Sequence, residues 1–261
     1  MIPSGLAIHR IYLLIWLIAG LAGCGGNTLV PVINKSPNRV IPTEVVVKPG
    51  DSIYSISWEH GLDYQKIAKW NGLKKPFKLS PGQRLGLREG AVTIATAPAE
   101  PIIVQPLPSE SGTNNSQLGT TIKPQASPAQ PQSTLPALSA PSKWQWPAKG
   151  ELIAKFSRSK GINGIRIAGQ GGSSVNATAA GDVVYVGEGL RGYGKLVIVK
   201  HSDKYLSAYA HNRNILVQEG QRVQSGQKIA EMGNSGTDRT MLHFEIRVNG
   251  KPEDPLKFLK T

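Results

Sequence analysis

The sequence predicts a multidomain protein: a small β-α-α-β unit, a proline-rich linker and a larger all-β unit, all behind an N-terminal export segment. Three observations carry that prediction. Residues 44–88 pass from strand spacing to helical spacing and back. Nine prolines lie between Pro98 and Pro141, among Ser, Thr, Ala and Gln. From residue 144 to 261, strand-like runs recur between Gly- and Asn-containing turns, with no amphipathic helix.

At the N-terminus, Arg10 precedes the apolar run IYLLIWLIAGLA, which ends in Leu-Ala-Gly-Cys at Leu21–Cys24. A charged start, a short hydrophobic core and a small-residue exit make a secretory signal, and the run is too short to cross a bilayer comfortably. Cys24 is the only cysteine, so no intramolecular disulfide can form in an exported chain that would permit one. Leu-Ala-Gly-Cys at this position resembles the lipobox of bacterial lipoproteins. That resemblance implies removal of residues 1–23, acylation of Cys24 and a tether over 24–43; a thiol inside an apolar helix is the plain alternative. Gly25, in place of an aspartate after the cysteine, points within that resemblance to the outer membrane, facing the periplasm.

Loss of residues 1–23 removes only Arg10 among charged residues, so the net charge falls from +13 to +12. Such a surplus suits a polyanion or an acidic cell-wall peptide. Export counts against nucleic acid as the partner.

In residues 44–88, Val45–Val47 read as a strand, Pro49-Gly50 as a turn and Asp51 as the cap of a first helix beginning near Ile53. Asp63 caps a second helix, with Tyr64, Ile67 and Ala68 on one face. Asn71-Gly72 stops it, and Gly82–Leu87 returns as a strand. With KPGDSIYSI, WNGL and SPGQRL at three separate places, the unit resembles a LysM domain. The resemblance implies binding of peptidoglycan glycan strands between the turn after the first strand and the loop after the second helix. Carried onto this chain, that groove involves Gly50, Asp51, Ser52, Ile53 and Asn71. Asp51 as a helix cap and Ile53 as core are equally compatible with the residues alone.

Residues 89–143 lack the aromatic content to build a core and read as a disordered, partly polyproline-like linker that sets reach. In the all-β unit, GEGLRG at Gly187–Gly192 fits a dinucleotide fingerprint letter for letter. A strand follows it where that fingerprint needs a helix N-terminus, so its glycines serve a hairpin turn.

The segments AAGDVVYVGEGLRGYGKLVIVKHSDKYLSAYAHNRNIL, GQRVQSGQKIAEMGNSG and LHFEIR resemble the LytM or lysostaphin-type zinc endopeptidases. Together with lipobox, LysM unit and linker in that order, they resemble the NlpD group of lipoproteins within that family. Active members take zinc from the His and Asp of a His-x-Gly-Ile-Asp segment and from the second His of a His-x-His strand. Three protein ligands leave a position for a water whose pKa the metal lowers toward ~7. Aligned on Gly164-Ile165, this chain has Ile162 and Arg166 at the first two ligand positions and Met241 at the first His of the pair. His243 and the His211 of Tyr-Ala-His remain, either lining a vestigial groove or as hydrogen-bonded strand histidines. His201, the other histidine of this domain, reads as a surface or hairpin residue.

Isoleucine has no lone pair, a thioether is a poor zinc ligand and arginine is permanently cationic. The expectation is a pseudoenzyme with no metal cofactor. NlpD-type resemblance implies a non-catalytic activator of a periplasmic N-acetylmuramyl-L-alanine amidase in septal peptidoglycan splitting and cell separation. In that picture the amidase's own helix blocks its zinc site until the activator's groove captures it. Arg166, His211 and His243, with Arg191 and Tyr193 on the rim, are the candidate amidase-binding groove, Arg166 offering a forked donor to a carboxylate. An active zinc endopeptidase with unorthodox ligands and a structural envelope-to-peptidoglycan tether are the rival readings.

Overall fold

The computed structural model describes residues 40–91 and 138–259. The signal segment, Cys24, the tether to residue 39 and residues 92–137 of the linker lie outside the described residues. No helix among those described is long and apolar enough to cross a membrane.

In the first unit β1 (Glu44–Val46) pairs antiparallel with β2 (Arg84–Gly86), Val45 facing Leu85. Between them in sequence come α1 (Ile53–His60) and α2 (Tyr64–Trp70). Ser52 starts α1: its hydroxyl accepts the Ser55 N–H at 3.1 Å, and the Ser55 hydroxyl accepts the Ser52 N–H at 2.9 Å. This reciprocal box satisfies two of the donors a helix N-terminus leaves open. It corrects the expectation that Asp51 is the cap. Asp51 sits one residue too early and instead accepts the Lys48 N–H at 2.9 Å, closing the Pro49-Gly50 turn. Asp63 does cap α2, accepting the Gln65 N–H at 2.9 Å. Asn71 ends that helix and clamps it to β2, donating to the carbonyls of Ile67 and Gly86 and accepting the Gly86 N–H.

The second unit is all-β, as its turn-punctuated runs predict. Its main sheet runs β10 (Arg222–Val223), β6 (Gly181–Gly187), β7 (Leu196–Lys200), β8 (Tyr205–Ala210), β12 (Met241–Val248), β4 (Ile165–Ala168) and β3 (Glu151–Ala154), with β13 (Lys251–Glu253) also on β12. A smaller sheet orders β5 (Ser174–Asn176), β11 (Lys228–Met232) and β9 (Asn212–Ile215). All pairings are antiparallel.

Period-two alternation divides the main sheet into two faces. Ile167, Val197, Val199, Tyr209, Leu242 and Phe244 share a core with Val175, Ile229 and Ala230 of the smaller sheet. Leu196, Ile198, Leu206, Ala208 and Ala210 point the other way, into one cluster with Ile53, Ile56 and Trp58 of α1. The β-α-α-β unit therefore covers the second face of the sheet, and Ile198 is completely buried between them. Burying a side chain of that size contributes about 1.5–3 kcal/mol. All described residues fall within one compact unit.

Polar contacts reinforce this packing. The Arg247 guanidinium lies over the Trp58 ring, and Tyr64 donates its hydroxyl hydrogen to Asp203 at 3.2 Å. His201 corrects the expectation of a surface histidine: it is buried, with Nδ1 2.9 Å from the Ala180 carbonyl and Nε2 2.7 Å from the Ser207 hydroxyl. Both ring nitrogens find partners inside the fold, so the imidazole need not reach water. Burial pulls its pKa down to about 4.

Candidate functional site

Strand β4 brings Arg166 to the site because Gly164 allows it to approach β12. A Cβ at Gly164 would stand 2.1 Å from the Phe244 carbonyl oxygen. Two residues on, Arg166 is the direct cross-strand partner of His243. Paired residues in a ladder share a face, so guanidinium and imidazole emerge on the same side. Arg166 is only 6% exposed, and its Nε–H has no hydrogen-bond partner. Burial lowers its pKa, an effect Asp238 partly opposes.

His211 follows β8 with φ of 66°, a left-handed conformation rare outside glycine. Its backbone N–H donates to Tyr193 O at 2.9 Å, and its ring Nδ1 lies 2.8 Å from the Ser235 carbonyl oxygen. A carbonyl can only accept, so Nδ1 carries the proton and Nε2 a lone pair. Burial lowers the pKa to about 4, with smaller contributions from His243 and Arg166. The His211 and His243 ring centres are 6.1 Å apart.

Along β12, Met241, His243, Glu245 and Arg247 alternate onto this same face, and all four are buried. Glu245 Oε1 accepts from His243 Nε2 at 2.9 Å and from the Tyr193 hydroxyl at 2.8 Å; Oε2 accepts from Arg247 at 3.0 and 3.1 Å. Burial alone would raise the Glu245 pKa, but Arg247 and these donors reverse that and leave it lowered. The carboxylate thus sets His243 with Nε2–H toward it and leaves Nδ1 unpartnered.

Arg166, His211 and His243 come together, all three buried, with Tyr193 joined to them through Glu245. Tyr193 does not sit on a rim, however. It is buried, because its ring packs beneath the β-α-α-β unit and its hydroxyl is bound to Glu245. Arg191 is exposed on the loop between β6 and β7. Met241 is buried opposite Ala168. Ile162 lies before β4, bridged to Ser157 across a tight turn.

Among the residues of the expected glycan groove, Gly50 is exposed with φ of 82°, and Asp51 and Ser52 hold the turn and the helix start. Ile53 is buried, so only its backbone can meet a sugar. The Asn71 amide is engaged in three internal hydrogen bonds, and its role is to position the loop that follows.

Glu245, Arg247 and Ser235 were not among the sequence candidates. The first two were within reach, since i+2 and i+4 from His243 in a strand share its face. Ser235 gave no signal; its carbonyl matters only through the fold.

Zinc fits this donor set poorly. The His211 and His243 imidazoles share this face with a guanidinium and a thioether, with no carboxylate at the position of Arg166. Among the described residues no group of three or more His, Cys, Asp or Glu could hold a metal ion.

A β-α-α-β unit of LysM type packed on a two-sheet β-fold of peptidase type defines the class of protein. Residues 160–255 match the model of Peptidase family M23 and residues 45–87 that of the LysM domain. The chain is 43% identical over 271 residues to the Lipoprotein NlpD/LppB homolog of Pseudomonas aeruginosa, covering 92% of this chain and 88% of that one. It is 40% identical over 252 residues to the Murein hydrolase activator NlpD of Salmonella dublin, covering 82% and 67%. A solved structure, a putative peptidase M23 from Pseudomonas aeruginosa, is 28% identical with a TM-score of 0.43, covering 47% of this chain and 53% of that chain. The chain belongs to the NlpD/LppB lipoprotein family.

Proposed function

We propose that this protein is a non-catalytic activator of a periplasmic peptidoglycan amidase. It would be anchored by lipid on Cys24 to the outer membrane, held to the wall by its LysM unit and active in septal splitting during cell separation. The observation that carries this reading is 40% identity, across both domains, to a protein named Murein hydrolase activator. The site chemistry supports it: aligned on Gly164, Arg166 falls where the resembled peptidases need a carboxylate, both retained histidines are buried, and burial lowers the pKa of His211 to about 4.

An activator of this kind works by population shift. A domain that binds only the open form of a hydrolase raises the open fraction by its differential affinity, and roughly 5.5 kcal/mol of difference converts 1:99 into 99:1. In this reading Arg166 supplies the cationic part of the contact site with the buried His211 and His243 beside it, and Arg191 offers a second cation on the exposed loop between β6 and β7, while Tyr193 is covered by the β-α-α-β unit.

The test is release of soluble fragments from labelled peptidoglycan by the purified protein with zinc, alone and with candidate periplasmic amidases. No release alone and strong stimulation of one amidase is the expected outcome. Release by the protein alone, abolished by a chelator and by His243→Ala, would establish a working endopeptidase instead. An Arg166→Glu variant that stimulates as well as wild type removes Arg166 from the contact.

A further inference from the structure

The LysM unit meets the M23 domain through the loop that forms one wall of its candidate glycan groove, with the other wall close by. One wall is the loop after Asn71. Its Lys75 pairs with Asp203, in the turn between β7 and β8, at 3.6 Å. Asp203 also accepts from the Tyr64 hydroxyl at 3.2 Å and pairs with Lys200 at 2.7 Å. The rings of Tyr54, Tyr64 and Phe77 cluster just behind this contact, with Tyr54 and Tyr64 centres 4.7 Å apart. The opposite wall is the turn of Lys48–Asp51, and it shares a cleft of about 370 Å³ with Gly189 of the β6–β7 loop. One wall is therefore held by the M23 domain, and the other faces its β6–β7 loop across a cleft.

Beneath the LysM unit lies the sheet face of Tyr185, Leu190, Tyr193, Leu196 and Ile198. That face is continuous with the vestigial site, because Tyr193 and Arg247 both bind Glu245, and Glu245 binds His243. Whatever lifts the LysM unit uncovers an apolar surface directly beside the two histidines.

We infer that docking of the LysM unit on the M23 sheet and binding of an N-acetylglucosamine chain exclude one another, so that peptidoglycan is the ligand that uncovers the sheet face beside Tyr193. Two states that compete for one surface are thermodynamically linked, and the coupling is reciprocal: glycan opens the protein, and docking weakens glycan binding. The exclusion stands on the interface alone; its consequence for a hydrolase rests on the activator reading above.

The experiment uses the purified protein and a defined probe, the N-acetylglucosamine tetramer. Calorimetry compares wild type with Asp203→Lys, which reverses the charge facing Lys75 and removes the acceptor of the Tyr64 hydroxyl. A third protein carries Lys75→Cys and Asp203→Cys joined by a short bis-maleimide, with Cys24 replaced by serine so that no other thiol competes. Asp203→Lys should bind about fivefold tighter or more, within the usual range of such couplings, and the cross-linked protein should lose binding. Small-angle scattering of wild type should show expansion at saturating tetramer. Equal affinity in the wild type and Asp203→Lys, no binding by any of the three, or an unchanged radius of gyration at saturation overturns the inference. Expansion with glycan in a protein that stimulates no amidase upholds the exclusion and defeats the activator reading alone.

Discussion

Arg247 lays its guanidinium carbon 3.7 Å from the centre of the Trp58 ring while donating from Nη1 to the Trp58 carbonyl at 2.6 Å. Two domains far apart in sequence meet in one buried cation, whose charge Glu245 balances from the same strand. A desolvated cation over indole is worth about 2 kcal/mol. Removing Arg247 would also leave the Glu245 carboxylate buried without its main partner.

Arg247→Met should therefore destabilise the protein by roughly 3–5 kcal/mol. Pairing it with Glu245→Gln should recover part of that loss, because the two residues act as a unit. Urea unfolding of the two single variants and the double variant tests this; strictly additive losses would deny the coupling.

Acid should destabilise the fold in two stages. His201 and His211 are held by burial to pKa values of about 4, below the ordinary 6.5. Between those values the unfolded chain takes up protons that the folded one refuses. Stability is therefore complete above pH 6.5 and falls toward pH 4, by on the order of 3 kcal/mol for each histidine. Glu245, lowered overall, holds its contribution above its ordinary 4.5 and loses it as pH falls further. A urea midpoint that stays level from pH 7.5 to 4.5 would contradict this assignment.

Zinc binding should be recoverable. The wild-type protein should retain no zinc after dialysis, whereas Ile162→His with Arg166→Asp and Met241→His should hold one ion per chain by metal analysis. Asp at 166 exchanges a cation for a ligand directly opposite His243. Stoichiometric zinc in wild type would mean the degenerate reading is wrong, and none in a folded triple variant would mean the alignment on Gly164 is.

Gly194→Ala should be costly. Its φ is 57°, and a Cβ there would stand 2.1 Å from the Ser235 carbonyl oxygen, the group that holds His211. A loss of about 1–3 kcal/mol is expected from strain of this kind. Gly220→Ala, with φ of 83° but open space around the added carbon, should lose less. Thermal melts of the pair separate the steric from the purely conformational cost, and equal losses would show that the Ser235 contact does not matter.

Local residue chemistry determined much of this protein by itself. Turn residues and β-branched runs specified the order of elements, and Asp63 started its helix as its spacing predicts. The expectation of lost ligands at Ile162 and Arg166, with Met241 in place of a further histidine, came from one register because it depends on residue type alone. Helix starts are harder where two capping residues adjoin: Asp51 and Ser52 each suit the position, and only the backbone path and the answering Ser55 hydroxyl decided for Ser52. Tertiary structure alone decided that the main sheet is covered on both faces. Strand periodicity says that Leu196 and Ile198 share a side but not what lies above them, and here it is Trp58 and its helix. The same contact buried Tyr193, enclosed Arg247 and joined the LysM unit to the site around His243, because packing between residues distant in sequence depends on shape and charge that no local pattern encodes.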